Sequence, residues 1–232
     1  GRFRDGAMRI YCIGAGPAGL YFSILMKLAD ARNEITIFER NRPDDTFGFG
    51  VVFSDATLDN LRDADAQTHR DILASFRHWD DIDIHYRGEV IVSGGHGMCG
   101  IHRQRLLNIL QRRAEELGVR IEYQTDIAAM GADSRFAGAD LVVACDGINS
   151  GIRTRYAQHF RPDLELGKCR YTWFGADRSY HAFVKAFERT EHGWFEAHVY
   201  PHEDTMSTFI VECHEQTYLA HGLDRMSMED SL

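Results

Sequence analysis

Three things are scarce in this sequence, and each scarcity excludes a class of protein. No apolar run approaches the about 20 residues of a transmembrane helix, so no membrane partner is expected. Lys and Arg number 26 against 35 Asp and Glu, a net charge of −9, which argues against nucleic acid as the main partner. The five cysteines form no Cys/His cluster of zinc spacing, so no metal site is predicted.

The thiols and the first residues indicate a compartment. Cys12 and Cys145 lie inside apolar runs, where we expect reduced core thiols, and a reducing cytoplasm fits them best. The leader GRFRDGA, residues 1–7, lacks the apolar segment of a signal peptide. We interpret it as an expression scar and leave it out of the fold assignment.

What the sequence does contain is a glycine pattern, in the stretch YCIGAGPAGLYF. The apolar run MRIYCI before it suits a buried parallel strand, and PAGLYFSILMKLADA after it suits a helix. Gly14 then permits a tight turn, Gly16 lets the backbone approach a pyrophosphate, and Gly19 lets helix and strand pack closely. Pro17 and Ala18 open the helix, whose N-terminus would face the negative charge.

The next predicted strand, EITIFER, ends in an acid. Glu39 lies 20 residues after Gly19, the spacing of a carboxylate that binds ribose hydroxyls, and Arg40 follows it. Strand, loop, helix and strand together predict a dinucleotide-binding loop rather than an ordinary turn.

A later apolar run, ADLVVACDGINSGIR, delivers Asp146-Gly147 at its end. A carboxylate there would lie at the ligand-binding edge of a parallel sheet, although a plain strand-ending turn is the alternative. With Ser150 and Arg153 the run resembles the DG motif of the class A flavoprotein monooxygenases, which have the para-hydroxybenzoate hydroxylase fold. The resemblance implies FAD as cofactor, NADH or NADPH as co-substrate, and contact of this segment with both.

Two more segments resemble the same family. GFGVVFSDATLDNL, residues 48–61, matches the segment that runs past the flavin ring, where Gly50 would allow close backbone approach; without the family it reads as a loop before a helix. In GIHRQRLLNILQRRAEELGVRIEY the leucine spacing predicts a helix that stops at Gly118, followed by the strand VRIEY. Arg103 matches an Arg that reaches toward the cofactor, and the other Arg of this helix are expected on its solvated surface.

Longer stretches, among them ERNRPDDTFGFGVVFSDATLDNL and TEHGWFEAHVYPHEDTMSTFIVE, resemble a narrower branch of the family. This branch is the monooxygenase part of salicylyl-CoA 5-hydroxylase and 2-aminobenzoyl-CoA monooxygenase/reductase. DTMSTFIVEC is also similar to a hydroxylase of violacein biosynthesis. The implied substrate is an aryl-CoA thioester, with an indole or tryptophan derivative as the alternative. The implied chemistry is reduction of FAD by NAD(P)H and ring hydroxylation through a flavin C4a-hydroperoxide formed with O₂, with no protein nucleophile or metal.

A second, mostly antiparallel sheet is predicted for substrate binding. YHAFVKAFERT, GWFEAHVYP and TMSTFIVEC are successive β-like runs, and DDIDIHYRGEVIVSGGHG contributes earlier strands. Alternation places Trp194, Glu196, His198 and Tyr200 on one face of the middle run. His198 and Tyr200 are candidate contacts of the aromatic substrate, and a solvated sheet face is the alternative.

The predicted fold is therefore α/β: a Rossmann-like FAD-binding domain with a parallel sheet, plus a smaller, mostly antiparallel sheet domain. Residues 8–178 are assigned to the first, interrupted near 80–98, and residues 179–232 begin the second. The family's downstream Gly-Asp motif is absent, so we expect an N-terminal fragment, and an inactive FAD-fold fragment remains an alternative. A flavin halogenase is disfavoured because Trp79, Trp173 and Trp194 are isolated. The expected partners are a small aromatic substrate and O₂, and the oligomeric state, including a homo-oligomer, is left open.

Overall fold

The computed structural model describes residues 6–127, 129 and 134–231. The first five residues of the predicted leader lie outside the described residues. Two compact units share the chain: unit 1 takes residues 1–46, 61–72 and 104–164, and unit 2 takes residues 47–60, 73–103 and 165–232. The strands are β1 (Arg9–Ile13), β2 (Glu34–Phe38), β3 (Gly50–Ser54), β4 (Arg77–Trp79), β5 (Ile82–Tyr86), β6 (Glu89–Ser93), β7 (Met98–His102), β8 (Arg120–Glu122), β9 (Leu141–Ala144), β10 (Cys169–Ala176), β11 (Phe183–Thr190), β12 (Gly193–Pro201) and β13 (Ser207–His214). The helices are α1 (Pro17–Ala29), α2 (Asp55–Ala64), α3 (Ala66–Leu73), α4 (Arg103–Glu116), α5 (Gly151–Arg155), α6 (Ala157–Phe160) and α7 (Glu215–Ala220).

Unit 1 is built on a four-stranded parallel sheet in the order β8-β2-β1-β9. The central strand β1 carries Ile10 and Cys12, both fully buried, and α1 contributes the fully buried Leu20 and Ile24. Burying the side chain of Ile10, Leu20 or Ile24 contributes about 1.5–3 kcal/mol each to the stability of the folded state. The order β1, α1, β2 is the predicted arrangement, and it brings the glycine loop and the end of β2 to the same edge of the sheet.

A second part of the unit 1 core lies where β9 leads into α5. Ile13, Phe38, Ile127 and Ile152 form a buried cluster, and Tyr156 packs against it. This packing places the segment after β9 beside the ends of β1 and β2.

Unit 2 contains a six-stranded sheet in the order β10-β13-β12-β11-β5-β6 and a three-stranded sheet in the order β3-β7-β4. All pairs are antiparallel except β5 with β11, which are parallel. The predicted α/β fold class with a parallel sheet and an antiparallel sheet is confirmed.

The division of the chain differs from the predicted boundaries, and two strands illustrate the difference. Strand β10 pairs along its whole length with β13, so residues 169–176 belong to the antiparallel sheet rather than to the first domain. Strand β3 pairs with β7, so residues 50–54 also lie in unit 2. Neither pairing is visible in local sequence, because the paired residues are between 31 and 52 positions apart in the chain.

One expectation for α4 is wrong. Arg113 was expected on the solvated surface, yet its side chain is only 13% exposed and forms an ion pair with the buried Asp65, with Nε 2.8 Å from Oδ2. Arg105 of the same helix is exposed, as expected. The acid that draws Arg113 inward lies between α2 and α3, 48 residues earlier in the chain.

Candidate cofactor-binding site

Two of the three glycines in the loop after β1 are required by the packing of unit 1 itself. Gly14 has φ +106°, and a Cβ there would lie 2.3 Å from the Cys145 carbonyl oxygen. A Cβ on Gly19 would lie 2.0 Å from the carbonyl oxygen of Gly14. The roles predicted for these two glycines, a tight turn and close packing of helix on strand, agree with this geometry.

Gly16 is different, because no atom lies within 4 Å of the position its Cβ would take. It is the N-cap of α1, and no side chain caps the first turn. Pro17 occupies the first helical position, and Ala18 is exposed. Open space therefore lies beside Gly16 at the N-terminus of α1, where the positive dipole end of a helix and its first N–H groups favour a pyrophosphate.

Glu39 lies at the same edge of the sheet. Its Oε2 accepts a hydrogen bond from the Ala15 N–H at 2.7 Å, and its Oε1 accepts one from the Asn41 N–H at 2.9 Å. These two bonds fix the carboxylate beside the glycine loop. A carboxylate has about four acceptor positions, so it retains capacity for ribose hydroxyls. Arg40 is exposed directly after it.

The spacing of Asp146, Ser150 and Arg153 in the DG segment is explained by a network of hydrogen bonds that caps the N-terminus of α5. Asp146 accepts the Ser150 hydroxyl at 2.5 Å and the Ile152 N–H at 3.1 Å. The Ser150 oxygen in turn accepts the Arg153 N–H at 3.0 Å and caps α5. Gly147 has φ +86°, which favours glycine. The motif thus shapes the turn after β9 and the start of α5.

Two predicted cofactor contacts carry buried nitrogen atoms that have no partner among the described residues. In Arg153, Nη2 donates to the Ile148 carbonyl at 2.6 Å, but Nε is buried and unpaired. In Arg103, the backbone N–H donates to the Phe49 carbonyl at 2.7 Å, and Nε is likewise buried and unpaired. An unpaired buried donor is unfavourable by about 1–3 kcal/mol, so both guanidinium groups suit an anionic or carbonyl-bearing cofactor such as FAD.

Gly50 lies in unit 2 and has a packing reason for being glycine. Its N–H donates to Thr208 Oγ1 at 2.8 Å, and its carbonyl accepts the Tyr200 hydroxyl at 2.9 Å. A Cβ would approach the His202 Cβ to 2.6 Å. Contact with β12 and β13 therefore accounts for Gly50, and the predicted approach to the flavin remains a prediction.

Tyr200 and His198 occupy different environments on the same face of β12. Tyr200 is 6% exposed, and its ring stacks with Trp79 and Phe183 at centroid distances of 6.3 and 5.8 Å. Burial raises the pKa of its hydroxyl above the ordinary value. His198 is less buried, with Nδ1 4.0 Å from the Glu196 carboxylate. Tyr200 thus serves packing in this structure, and His198 is the more accessible of the two candidates.

Sequence reasoning did not find two groups of polar side chains in unit 2. One joins Lys185 to Glu196, with Nζ 2.6 Å from Oε1, beside His198 and Glu212. The other brings His102, His202 and Glu203 together. Strand alternation placed Glu196 and His198 on one face, but the partners come from other strands, and no local pattern identifies them.

Burial changes the acidity of the thiols of Cys12 and Cys99. All five cysteines are free, and burial raises the pKa of Cys12, with the neighbouring Cys145 adding to the effect. Burial also raises the pKa of Cys99 to about 11. These two thiols are therefore protonated and unreactive at neutral pH.

Comparison with known proteins decides the family. A family model described as FAD binding domain matches residues 7–164, more than half of the chain. The chain belongs to this family. The family predicted from the glycine loop and the DG segment is thereby confirmed, and with it FAD as the cofactor.

Named relatives extend the comparison. The chain is 44% identical over 217 residues to salicyloyl-CoA 5-hydroxylase from Streptomyces sp, covering 94% of this chain and 41% of that protein. It is 31% identical over 230 residues to protodeoxyviolaceinate monooxygenase from Chromobacterium violaceum, covering 97% of this chain and 60% of that protein. The chain thus spans about half the length of these relatives.

A solved structure supports the fold alone. The tetrameric form of 2-methyl-3-hydroxypyridine-5-carboxylic acid oxygenase superposes with a TM-score of 0.72 at 17% identity, covering 90% of this chain and 59% of that one. None of the helices in the described ranges combines the length and apolar content that crossing a membrane requires.

Proposed function

We propose that the protein of which this chain is a part is an FAD-dependent monooxygenase that hydroxylates an aromatic acyl-CoA thioester, using NADH or NADPH and O₂. Bound FAD supplies the activation of O₂ and the transfer of one oxygen atom to an electron-rich ring. The 44% identity to salicyloyl-CoA 5-hydroxylase supports the substrate class. The identity of 31% to protodeoxyviolaceinate monooxygenase supports an indole derivative as the second candidate.

The observation that carries the proposal is the open space at Gly16. Gly14 and Gly19 are glycine because the fold has no room for a side chain, whereas nothing in the fold requires glycine at position 16. A ligand that approaches the backbone there explains it, and the N-terminus of α1 favours a ligand that is negatively charged. Glu39, at the same edge of the sheet, adds an acceptor for sugar hydroxyls.

The ring of the substrate is assigned to the face of the six-stranded sheet that carries Trp173, His198 and Lys185. These three residues lie in one row across the register of the strands. The segment predicted to run past the flavin packs on this face, since a Cβ on Gly48 would lie 2.7 Å from the Trp173 ring. On this assignment His198 contacts the substrate, and Tyr200 positions the segment through its bond to Gly50.

The opposite face contains a cavity of about 420 Å³ whose lining includes Val184, Ala197, Val199 and Phe209. The Gly48–Gly50 segment packs on the other face, so we do not assign the substrate ring to this cavity. The strand register, rather than the cavity volume, determines the choice.

The first experiment is to reconstitute the purified protein with FAD, remove the excess and measure visible absorption. The second measures oxidation of NADH and of NADPH in the presence of salicylyl-CoA, 2-aminobenzoyl-CoA or an indole acid. We expect retained flavin, substrate-stimulated oxidation with an aryl-CoA and incorporation of one labelled oxygen atom into the product. A colourless protein, or oxidation without labelled product, would contradict the proposal. Preference for the indole acid would favour the second candidate.

A matched pair of variants separates binding from folding. Gly16→Val fills the open space at the start of α1, and Gly167→Val fills an equally open space in an exposed segment of unit 2. Both variants should fold, because no atom outside the adjacent backbone lies within 4 Å of the added Cβ at either position. Only Gly16→Val should lose FAD.

A further inference from the structure

We propose that His102, His202 and Glu203 form a binding site for one divalent transition-metal ion of the zinc class. His102 ends β7, and His202 and Glu203 follow β12 directly, so unit 2 brings together residues that lie 100 positions apart. One imidazole nitrogen from each His and one carboxylate oxygen all lie within 4.8 Å of one another. Two imidazoles and a carboxylate are a ligand set that zinc takes in proteins.

His202 supplies the second, independent observation. The residue is 1% exposed, and its Nε2 is buried with no hydrogen-bond partner among the described residues. A buried ring nitrogen without a partner is unfavourable by about 1–3 kcal/mol. A bound metal ion removes this penalty.

The other ring nitrogen of His202 is already held. Nδ1 lies 3.0 Å from the hydroxyl of Thr208, which also accepts the backbone N–H of Gly50. Ligating histidines usually donate their second ring N–H to such a partner, which fixes the orientation of the ring. Thr208 therefore presents Nε2 of His202 as the ligand atom.

The remaining two ligands have room to adjust. His102 Nε2 lies 3.9 Å from Glu203 Oε1, and their side chains are 30% and 44% exposed. Bonds of about 2.0–2.2 Å to a tetrahedral ion place ligand atoms about 3.4 Å apart. The three ligand atoms lie within 4.8 Å of one another, so the two partly exposed side chains must move toward the buried His202 to reach that geometry. Three protein ligands leave a fourth position for water.

The second polar group in unit 2 is less suitable as a metal site than the first. Glu196, His198 and Glu212 also lie close enough to share an ion. The ammonium of Lys185, however, lies 2.6 Å from Glu196 and already supplies the positive charge. No ammonium or guanidinium group in the described part of the chain forms an ion pair with Glu203. The site was not predicted from sequence because its ligands come from two distant segments and no short spacing connects them.

The test is isothermal titration of Zn²⁺ into the purified chain after treatment with a chelator, at neutral pH. We expect one site in the parent protein and a rise in its melting temperature when Zn²⁺ is added. His102→Gln and Glu203→Gln should each weaken Zn²⁺ binding by more than about tenfold. Loss of a residue that only contacts a ligand typically costs about 10–100-fold in metal affinity, and loss of a direct ligand should cost at least as much. Both residues are partly exposed, so circular dichroism should show an unchanged fold.

His198→Gln is the matched control, because it removes a histidine from the group that Lys185 occupies, and it should leave the affinity for Zn²⁺ unchanged. The absence of binding by the parent protein would overturn the proposal. Equal affinity in the parent, His102→Gln and Glu203→Gln would place the ion elsewhere and would also overturn it. The proposal does not rest on the proposed enzymatic function, since the titration needs neither FAD nor substrate.

Discussion

At the residue scale, the ion pair of Asp65 and Arg113 makes a quantitative prediction. Burial opposes the charge on Asp65, but hydrogen bonds from Arg113 and Thr68 outweigh it, and the pKa of the carboxyl lies below its ordinary value. Arg113→Met leaves that buried carboxylate without its partner. We expect a loss of about 3 kcal/mol in the free energy of unfolding, measured by urea denaturation at pH 7. Arg120→Met, in a pair whose Arg is 74% exposed, is the control and should change it by less than about 1 kcal/mol.

The same pair predicts a pH dependence. A carboxyl whose pKa is lower in the folded than in the unfolded state contributes stability above its unfolded pKa of about 3.9 and loses it as pH falls through the folded value. The difference in unfolding free energy between the parent and Arg113→Met should therefore shrink in acid below about pH 4. A difference that stays constant through that range would mean that charge pairing is not its cause.

At the element scale, one side chain of β13 holds β3 in place, and this contact can be tested with isosteric variants. Thr208→Val keeps the side-chain volume but removes the acceptor of the Gly50 N–H, which is buried. We expect a loss of about 2 kcal/mol in unfolding free energy, because a buried N–H is left unpaired. Thr208→Ser keeps the hydroxyl and should be clearly more stable than Thr208→Val. Equal stability of the two variants would show that packing, rather than the hydrogen bond, fixes the segment.

The contact between β3 and β13 also shows how much of the fold can be predicted from the sequence. The glycine loop, α1 and Glu39 could be predicted because their signals lie within 26 residues and follow backbone rules. The bond from Gly50 to Thr208 spans 158 residues, and the parallel pairing of β5 with β11 spans about 100. Such pairings join strands that are distant in the sequence, so no local pattern identifies the partners. Local patterns therefore predicted a reason for Gly14 and Gly19 that the structure supports, but they missed the packing at Gly50 and the partner of Arg113.

At the scale of the whole molecule, the two units allow cofactor binding to be mapped by amide hydrogen exchange. A ligand present at 100 times its Kd stabilises the folded state by about 2.7 kcal/mol, which slows exchange through opening of the binding region about 100-fold. We expect FAD to slow exchange at residues 14–19 of unit 1 and at residues 48–50 of unit 2, where Gly50 is a predicted contact. The edge strand β6, whose apolar residues are exposed, should be unaffected. In Gly16→Val the exchange without FAD should match the parent, since the added Cβ enters open space, and the effect of FAD should disappear. Protection at 14–19 without protection at 48–50 would confine FAD binding to unit 1 and contradict the prediction for Gly50. Protection that persists in Gly16→Val would instead remove the glycine loop from the binding site.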